Sequence, residues 1–275
     1  MIVPGVVVVY NPDDSVIDNI MSYIDDLSEL YIIDNSESVN KNFYQRLVYN
    51  EKIIYKIIGG NIGLPAAINI GFELLKEKGY EYAIYFDQDT KKIDDFKLYF
   101  SILDDIPNDV GMIVPSLCID RKKIKNNKRE IQNVNFAMSS AAIYNLNIFN
   151  IIGKFDEKLF LDCLDEEYCL KLRKNGYKII QVNKFKVEHH PAITIEKKKL
   201  FLKFKTGYHS PIRYYYQIRN MYFCYRKYHN FHSLKWLLIK KIKAYFIFSD
   251  NIEYKIMAKK AKKDFKEGKY GKYIE

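Results

Sequence analysis

Residues 52–90 read KIIYKIIGGNIGLPAAINIGFELLKEKGYEYAIYFDQDT. Lys52–Ile57 and Tyr82–Phe86 are β-branched and aromatic runs, whereas Leu64–Lys78 carries apolar residues at helical spacing, so the stretch reads strand, helix, strand. A helix between two strands makes them parallel, and parallel sheets are covered by helices on both faces. Ligands of such sheets gather at the carboxyl ends of the strands. That gives weight to Asp87-Gln88-Asp89-Thr90, which follows the second strand directly.

The same rhythm extends outward. Ile2–Tyr10, Tyr31–Asp34 and Gly111–Pro115 read as further strands, and Ser15–Leu27 and Asp94–Asp104 as helices. Leu117 to Glu130 is basic and polar, which predicts a hairpin or loop over the sheet edge, and Val134–Tyr144 reads as another strand. Asp165–Asn175 is a helix with Gly176 beyond its end, followed by strands over Tyr177–Val182 and Phe185–His189. From about Pro211 aromatics and lysines recur at helical spacing, which predicts two or three amphipathic helices. The chain divides into an α/β domain over residues 1–209 and a basic helical extension over 210–275.

Composition narrows the class. The 275 residues are 48% hydrophobic and 28% charged, with 7 prolines and 12 glycines, which excludes collagen-like and disordered chains. The four cysteines form no C-x-x-C pair, so the sequence predicts a reduced, intracellular protein rather than a disulfide scaffold. The apolar start lacks a basic flank and a cleavage site, which argues against a secretory signal. The apolar run Trp236–Phe248 is broken by Lys240, Lys241 and Lys243 and falls short of the ~20 residues a bilayer span needs. The net charge of +10 is uneven: residues 196–275 carry net +15 and residues 1–195 net −5. A basic segment on a mildly acidic body points to an anionic partner.

Polar residues at the expected strand ends are the candidates for chemistry. They are Tyr10-Asn11 after the first strand, Asp34-Asn35-Ser36 after the second and Asp87-Gln88-Asp89 after the fourth. Two carboxylates at i and i+2 can share one hard divalent cation such as Mg²⁺ or Mn²⁺, and equally can form a solvated turn. Gly59 to Gly71 sits between strand and helix, where small residues let the backbone approach a phosphate or ribose. It matches neither G-x-G-x-x-G nor the P-loop, so nicotinamide enzymes and P-loop NTPases lose ground. Asp162, Asp165, Glu166 and Glu167 crowd a helix start, where a carboxylate caps the helix or acts as a general base. His189-His190 could complete a metal site, and Arg213 or Arg219 could hold a diphosphate.

Taken in order, the motifs YNP, DNS, N-x-GLPAA-x-N-x-G, DQDT, G-x-FDE-x-LF-x-D-x-x-DEEYC, HH and YY-x-x-RN resemble the inverting family 2 glycosyltransferases, most closely their bacterial rhamnosyltransferase-like branch. The resemblance runs from about Val3 to Asn220. It implies a GT-A type fold, with a mostly parallel sheet flanked by helices, and a Mn²⁺ or Mg²⁺ cofactor. It implies that Tyr10, Asn11, Asp34, Asn35, Asn61, Gly63, Asp87, Gln88 and Arg219 bind a nucleoside diphosphate sugar, with Asp34 accepting from the base. Asp89, Asp87 and His189 or His190 would hold the metal, and Asp165 would be the base. Leu164 stands where many relatives carry an acid, and Pro191-Ala192 where they carry glycine.

The resemblance further implies transfer of rhamnose from a thymidine diphosphate donor, or of a related sugar from a uridine diphosphate donor, to a surface-polysaccharide or lipid-linked glycan. The basic, aromatic tail then suits an anionic membrane surface, placing the enzyme in the cytoplasm at the inner face of the cell membrane. A nucleic-acid-binding protein is the competing class. It accounts for the charge and leaves the carboxylate motifs unexplained.

Overall fold

The computed structural model describes residues 2–118, 129–189, 193–199, 202–248 and 250–274. The first two-thirds run β1 (Gly5–Val9), α1 (Asp14–Tyr23), β2 (Leu30–Asp34), α2 (Lys41–Leu47), β3 (Ile53–Ile57), α3 (Leu64–Glu77), β4 (Tyr82–Asp87), β5 (Lys91–Lys92), α4 (Phe96–Phe100), β6 (Val110–Cys118), β7 (Ile131–Asn133), β8 (Ala142–Asn145), α5 (Leu146–Ile152), α6 (Leu164–Lys174) and β9 (Lys178–Glu188). A hairpin follows, β10 (Ile193–Lys199) with β11 (Leu202–Tyr208), and then helices α7 (Pro211–Tyr228), α8 (Phe231–Ile242) and α9 (Ile252–Lys266).

One sheet has the order β3-β2-β1-β4-β8-β6-β9-β5, with β7 also on β9. Among the described residues β1, β2, β3, β4, β6 and β9 run one way and β5, β7 and β8 the other, so the sheet is mostly parallel as expected. Every residue of β1, Gly-Val-Val-Val-Val, is buried, the pattern of a central strand covered on both faces. Register pairs Val9 with Asp34 and Val8 with Asp87, so the ends of β1, β2 and β4 lie level at one edge. Apolar residues fill both faces of the sheet, and a third core joins Phe160 to α7, α8 and α9.

Two glycines set close approaches. A Cβ at Gly71 would meet Val6 Cγ1 at 2.5 Å, so α3 lies directly on β1. Gly63, at φ +93°, would place a Cβ 2.9 Å from the carbonyl oxygen of Phe160.

Several sequence expectations need correction. Val134–Tyr144 is not one strand: residues 134–141 are irregular and only Ala142–Asn145 pairs, because this segment must cross to the strand-end edge. The two strands expected over Tyr177–Val182 and Phe185–His189 are the single β9, which shifts register against β6 between Pro115 and Ser116 and so stays paired through its polar middle. The helix expected over Asp94–Asp104 is α4 followed by a 3₁₀ turn, Ser101–Asp104. The predicted edge loop lies largely outside the described residues. Three C-terminal helices are present, and no helix among the described residues is long and apolar enough to cross a membrane.

Candidate active site

The edge defined by the ends of β1, β2 and β4 gathers most of the predicted residues. Asp34 is buried, accepting from Tyr55 Oη at 2.7 Å and from the Ser36 amide at 3.0 Å. Asn35 and Asn61 join the β2 and β3 loops, Asn35 Nδ2 donating to Asn61 Oδ1 at 3.2 Å while the Ile62 amide donates to Asn35 Oδ1 at 2.9 Å. Asn61 Oδ1 also accepts from the Gly63 amide at 3.1 Å. The Tyr10 amide donates to Gln88 Oε1 at 2.9 Å, leaving the Tyr10 ring exposed, and Asn11, at φ +46°, donates its amide to Ser36 Oγ at 2.8 Å.

Beside this lining lies a group that could hold a metal ion. Asp87, Asp89 and His189 offer ligand atoms all within 4.8 Å of one another. His189 Nδ1 is 3.1 Å from Asp89 Oδ1, and Nε2 is 3.8 Å from Asp87 Oδ2. Nδ1 is buried and lacks a properly aligned hydrogen-bond partner, so the nitrogen and the carboxylate stand as two ligands of one cation would. Tyr85, two residues before Asp87 and therefore on the same strand face, donates to Asp87 Oδ1 at 2.8 Å. Thr90 is buried against Ser140, their hydroxyl oxygens 2.6 Å apart, which pins the turn. Burial raises the pKa of Asp87 and Asp89 adds to the effect, with His189 opposing. Burial would lower the pKa of His189, but the two carboxylates outweigh it and raise it. His190, the alternative ligand, lies outside the described residues.

Asp165 stands in the first turn of α6, half-buried, and accepts a short hydrogen bond from Ser139 Oγ. Tyr144 Oη donates to Ser139 Oγ in turn at 2.7 Å. Burial, reinforced by the nearby charge of Asp87, pushes the Asp165 carboxyl up to about 7, while Ser139 and His189 act in the opposite sense. A carboxylate with that affinity can take a proton from a hydroxyl near neutral pH.

The two arginines part company. Arg213 meets Asp162 with both arms, Nε to Oδ2 at 3.1 Å and Nη2 to Oδ1 at 2.6 Å. Burial disfavours its charge, but the carboxylate of Asp162, with Asp87 and Asp89 adding to it, more than offsets this and holds Arg213 as a cation. Arg219, the arginine expected at the diphosphate, is only 1% exposed. Its guanidinium donates to the carbonyls of Leu159, Lys158 and Gly271 at 3.0, 3.2 and 2.8 Å. The neighbouring Asn220 donates to the carbonyls of Leu159, Leu161 and Asp162. Arg219 and Asn220 therefore clamp the loop before Asp165, which takes up their polar groups. That loop holds Phe160, Asp162 and Cys163 at φ of 60°, 61° and 64°, a strained backbone that needs such a clamp. Sequence reasoning missed Ser139, Tyr55 and Ser140. Strand alternation could have found Tyr85, which lies two residues before Asp87 on the same strand face.

Solved structures with the same fold define the class. The structure of GalNAc-T7 with UDP, GalNAc and Mn²⁺ superposes with a TM-score of 0.57 at 16% identity, covering 69% of this chain and 44% of that one. This chain thus spans less than half of the GalNAc-T7 chain. Residues 1–349 of S. aureus TarS give a TM-score of 0.59 at 14% identity over 96% of this chain and 80% of theirs. The fold is that of the GT-A glycosyltransferases. No protein-family model matches the chain. A curated relative does: dTDP-rhamnosyl transferase RfbF of Shigella flexneri is 31% identical over 245 residues, covering 82% of this chain and 80% of the relative. The chain belongs to the inverting family 2 glycosyltransferases, in their bacterial rhamnosyltransferase-like branch.

Proposed function

We propose that the protein is a metal-dependent rhamnosyltransferase that moves rhamnose, with inversion, from a thymidine diphosphate donor to a hydroxyl of a surface-polysaccharide or lipid-linked glycan. The observation that carries this reading is the half-buried Asp165, close enough to the Asp87–Asp89–His189 group for Asp87 and His189 to act on its proton affinity. Asp34 accepts from the base imide, the Tyr10 ring covers the base, and Asn11, Asn35, Asn61, Gly63 and Gln88 line the nucleotide. Asp89, with Asp87 and His189, would hold Mn²⁺ or Mg²⁺, which would supply positive charge against that developing on the leaving diphosphate. Arg213 adds a fixed cation on the same side. Asp165 accepts the proton of the acceptor hydroxyl as its oxygen attacks the anomeric carbon from the face opposite the diphosphate. A single displacement needs this one base and no enzymatic nucleophile, unlike a retaining hydrolase. The enzyme works in the cytoplasm, peripheral to the inner face of the membrane. A uridine diphosphate hexose donor is the second reading, favoured by the UDP of the GalNAc-T7 complex.

Titration calorimetry with thymidine, uridine and guanosine diphosphates, with and without Mn²⁺, tests the reading. Thymidine diphosphate should bind most tightly, Mn²⁺ should strengthen it, and Asp89→Ala should abolish the metal-dependent part together with transfer. Binding and transfer unchanged by chelator and by Asp89→Ala would overturn the metal assignment.

A further inference from the structure

Between the end of α8 and α9 lies a groove of about 470 Å³, lined by Tyr245 and by Lys241, Lys259, Lys262, Lys263 and Lys266. Lys263 reaches Glu267 at 3.9 Å, while the other four lysines have no carboxylate partner among the described residues. Five like charges around one concavity repel one another, so the groove suits an anionic partner.

A second observation narrows that partner. Phe231, Leu238, Ile242 and Phe246 follow at spacings of seven, four and four, which aligns them on one face of α8 and its π-helical continuation Lys243–Ile247. All four are exposed, Phe231 at 85% and Phe246 at 65%. Ile252 and Ile256 repeat the pattern on α9, exposed at 62% and 52%. The opposite side of α8 is well packed: Leu237 and Ala244 are buried in one cluster with Phe160 and Tyr214. On a helical projection Lys241 and Tyr245 fall between that buried side and the apolar ridge, so the groove and the ridge adjoin.

A basic groove alone fits any polyanion, and an apolar ridge alone fits any apolar partner. Side by side they fit the interface of an anionic bilayer, where apolar side chains enter the acyl boundary and lysines meet the headgroups. We infer that this α8–α9 face docks the protein on an anionic lipid surface, an inference that deepens the membrane-facing part of the proposed function and rests on it. The inner side of the same helix meets α7: Lys240 Nζ lies 5.3 Å from the Tyr214 ring centre, one residue from Arg213.

Sedimentation of the full chain with vesicles of equimolar phosphatidylglycerol and phosphatidylcholine, against phosphatidylcholine alone, tests this. The wild type should partition onto the anionic vesicles, and less so as salt rises. Changing Lys259, Lys262, Lys263 and Lys266 together to Gln should lower partitioning on the order of 10³-fold. Leu238→Ser with Ile242→Ser and Phe246→Ser should lower it also, and both variants should keep transfer to a short soluble acceptor. Equal partitioning onto neutral vesicles overturns the inference. So does a ridge variant that partitions like wild type while the lysine variant loses inorganic polyphosphate binding, because the groove is then a site for soluble polyanions. Loss of soluble-acceptor transfer in both variants, with wild-type circular dichroism, makes the face part of the catalytic machinery and overturns it too. Vesicle binding without transfer to any acceptor would sink the catalytic reading and leave docking standing.

Discussion

Asp165 is subject to two opposing influences. Its place in the first turn of α6 favours the anion through the helix dipole, whereas burial and the charge of Asp87 favour the protonated acid. Burial dominates, and the carboxyl titrates near 7 rather than at its ordinary 3.8. A general base must be ionised, so kcat should rise with pH through about 7 and then level off. Asp165→Asn should cut kcat by ~10²–10⁴-fold while keeping donor affinity, because the amide preserves shape without accepting a proton. Stability should move the other way. A carboxyl with a raised folded-state pKa stabilises the fold fully only below its unfolded value, and that contribution is lost as pH rises through about 7. The Asn variant should therefore melt higher than wild type at about pH 8 and show no such gain near pH 4. Thermal scans at the two pH values check the sign, and near-wild-type kcat would move the base to Asp162 or Glu167.

At the scale of elements, the strand ends were legible and the clamps were not. Asp34 and Asp87 could be placed because a parallel sheet presents the ends of its strands at one edge, and a β-branched run followed by polar residues marks such an end. Ser139 could not be placed, because residues 134–141 read as strand by alternation yet are pulled off the sheet to reach Asp165. The arginines of α7 show what motif order leaves out. Arg213 and Arg219 are six residues apart, which on a helix puts them on different faces, one toward Asp162 and one into the core. Helical spacing could have separated them, whereas resemblance by order alone picked for the diphosphate the arginine whose guanidinium is taken up by backbone carbonyls. The expected consequence is a clean split. Arg219→Ala should destabilise the fold by on the order of 3 kcal/mol, by leaving buried carbonyls without donors. Arg213→Lys should lower the melting temperature less than Arg219→Ala does, because an ammonium keeps the charge beside Asp162 while losing the two-armed contact, and it should weaken thymidine diphosphate binding. Unfolding curves and calorimetry on the two variants distinguish them, and unchanged nucleotide affinity in Arg213→Lys would remove it from the donor site.

Over the whole molecule, the boundary at residue 210 separates charge more cleanly than it separates structure. The net +15 of residues 196–275 is confined to the last third of the chain, as the sequence displays. The packing, however, runs across the boundary, because Phe160 shares a core with α7, α8 and α9. The chain also returns to its catalytic half after α9. The Gly271 amide donates to the carbonyl of Lys158 at 2.9 Å, the Gly271 carbonyl accepts from Arg219 at 2.8 Å, and the Tyr273 amide donates to Tyr216 Oη at 2.8 Å. Lys272 Nζ reaches Glu37 at 3.4 Å, just past the end of β2. This closure could not be read from a lysine-rich terminal sequence, because it depends on backbone groups and on where α7 points its buried arginine. We propose that the extension is a strut for the strained loop of residues 160–163 as well as a basic surface. Ending the chain at Gly268 removes these contacts and leaves α9 and every lysine of the basic groove in place. That shortened protein should melt several degrees lower, because buried hydrogen bonds to Arg219 and Lys158 are lost, each with a net worth of about 1 kcal/mol. Its kcat on a soluble acceptor should fall as Asp165 loses its fixed position, while binding to anionic vesicles should persist. Scanning calorimetry, kinetics and vesicle sedimentation on the same preparation separate the two roles. Unchanged melting and kcat would make the extension an appendage whose charge alone matters.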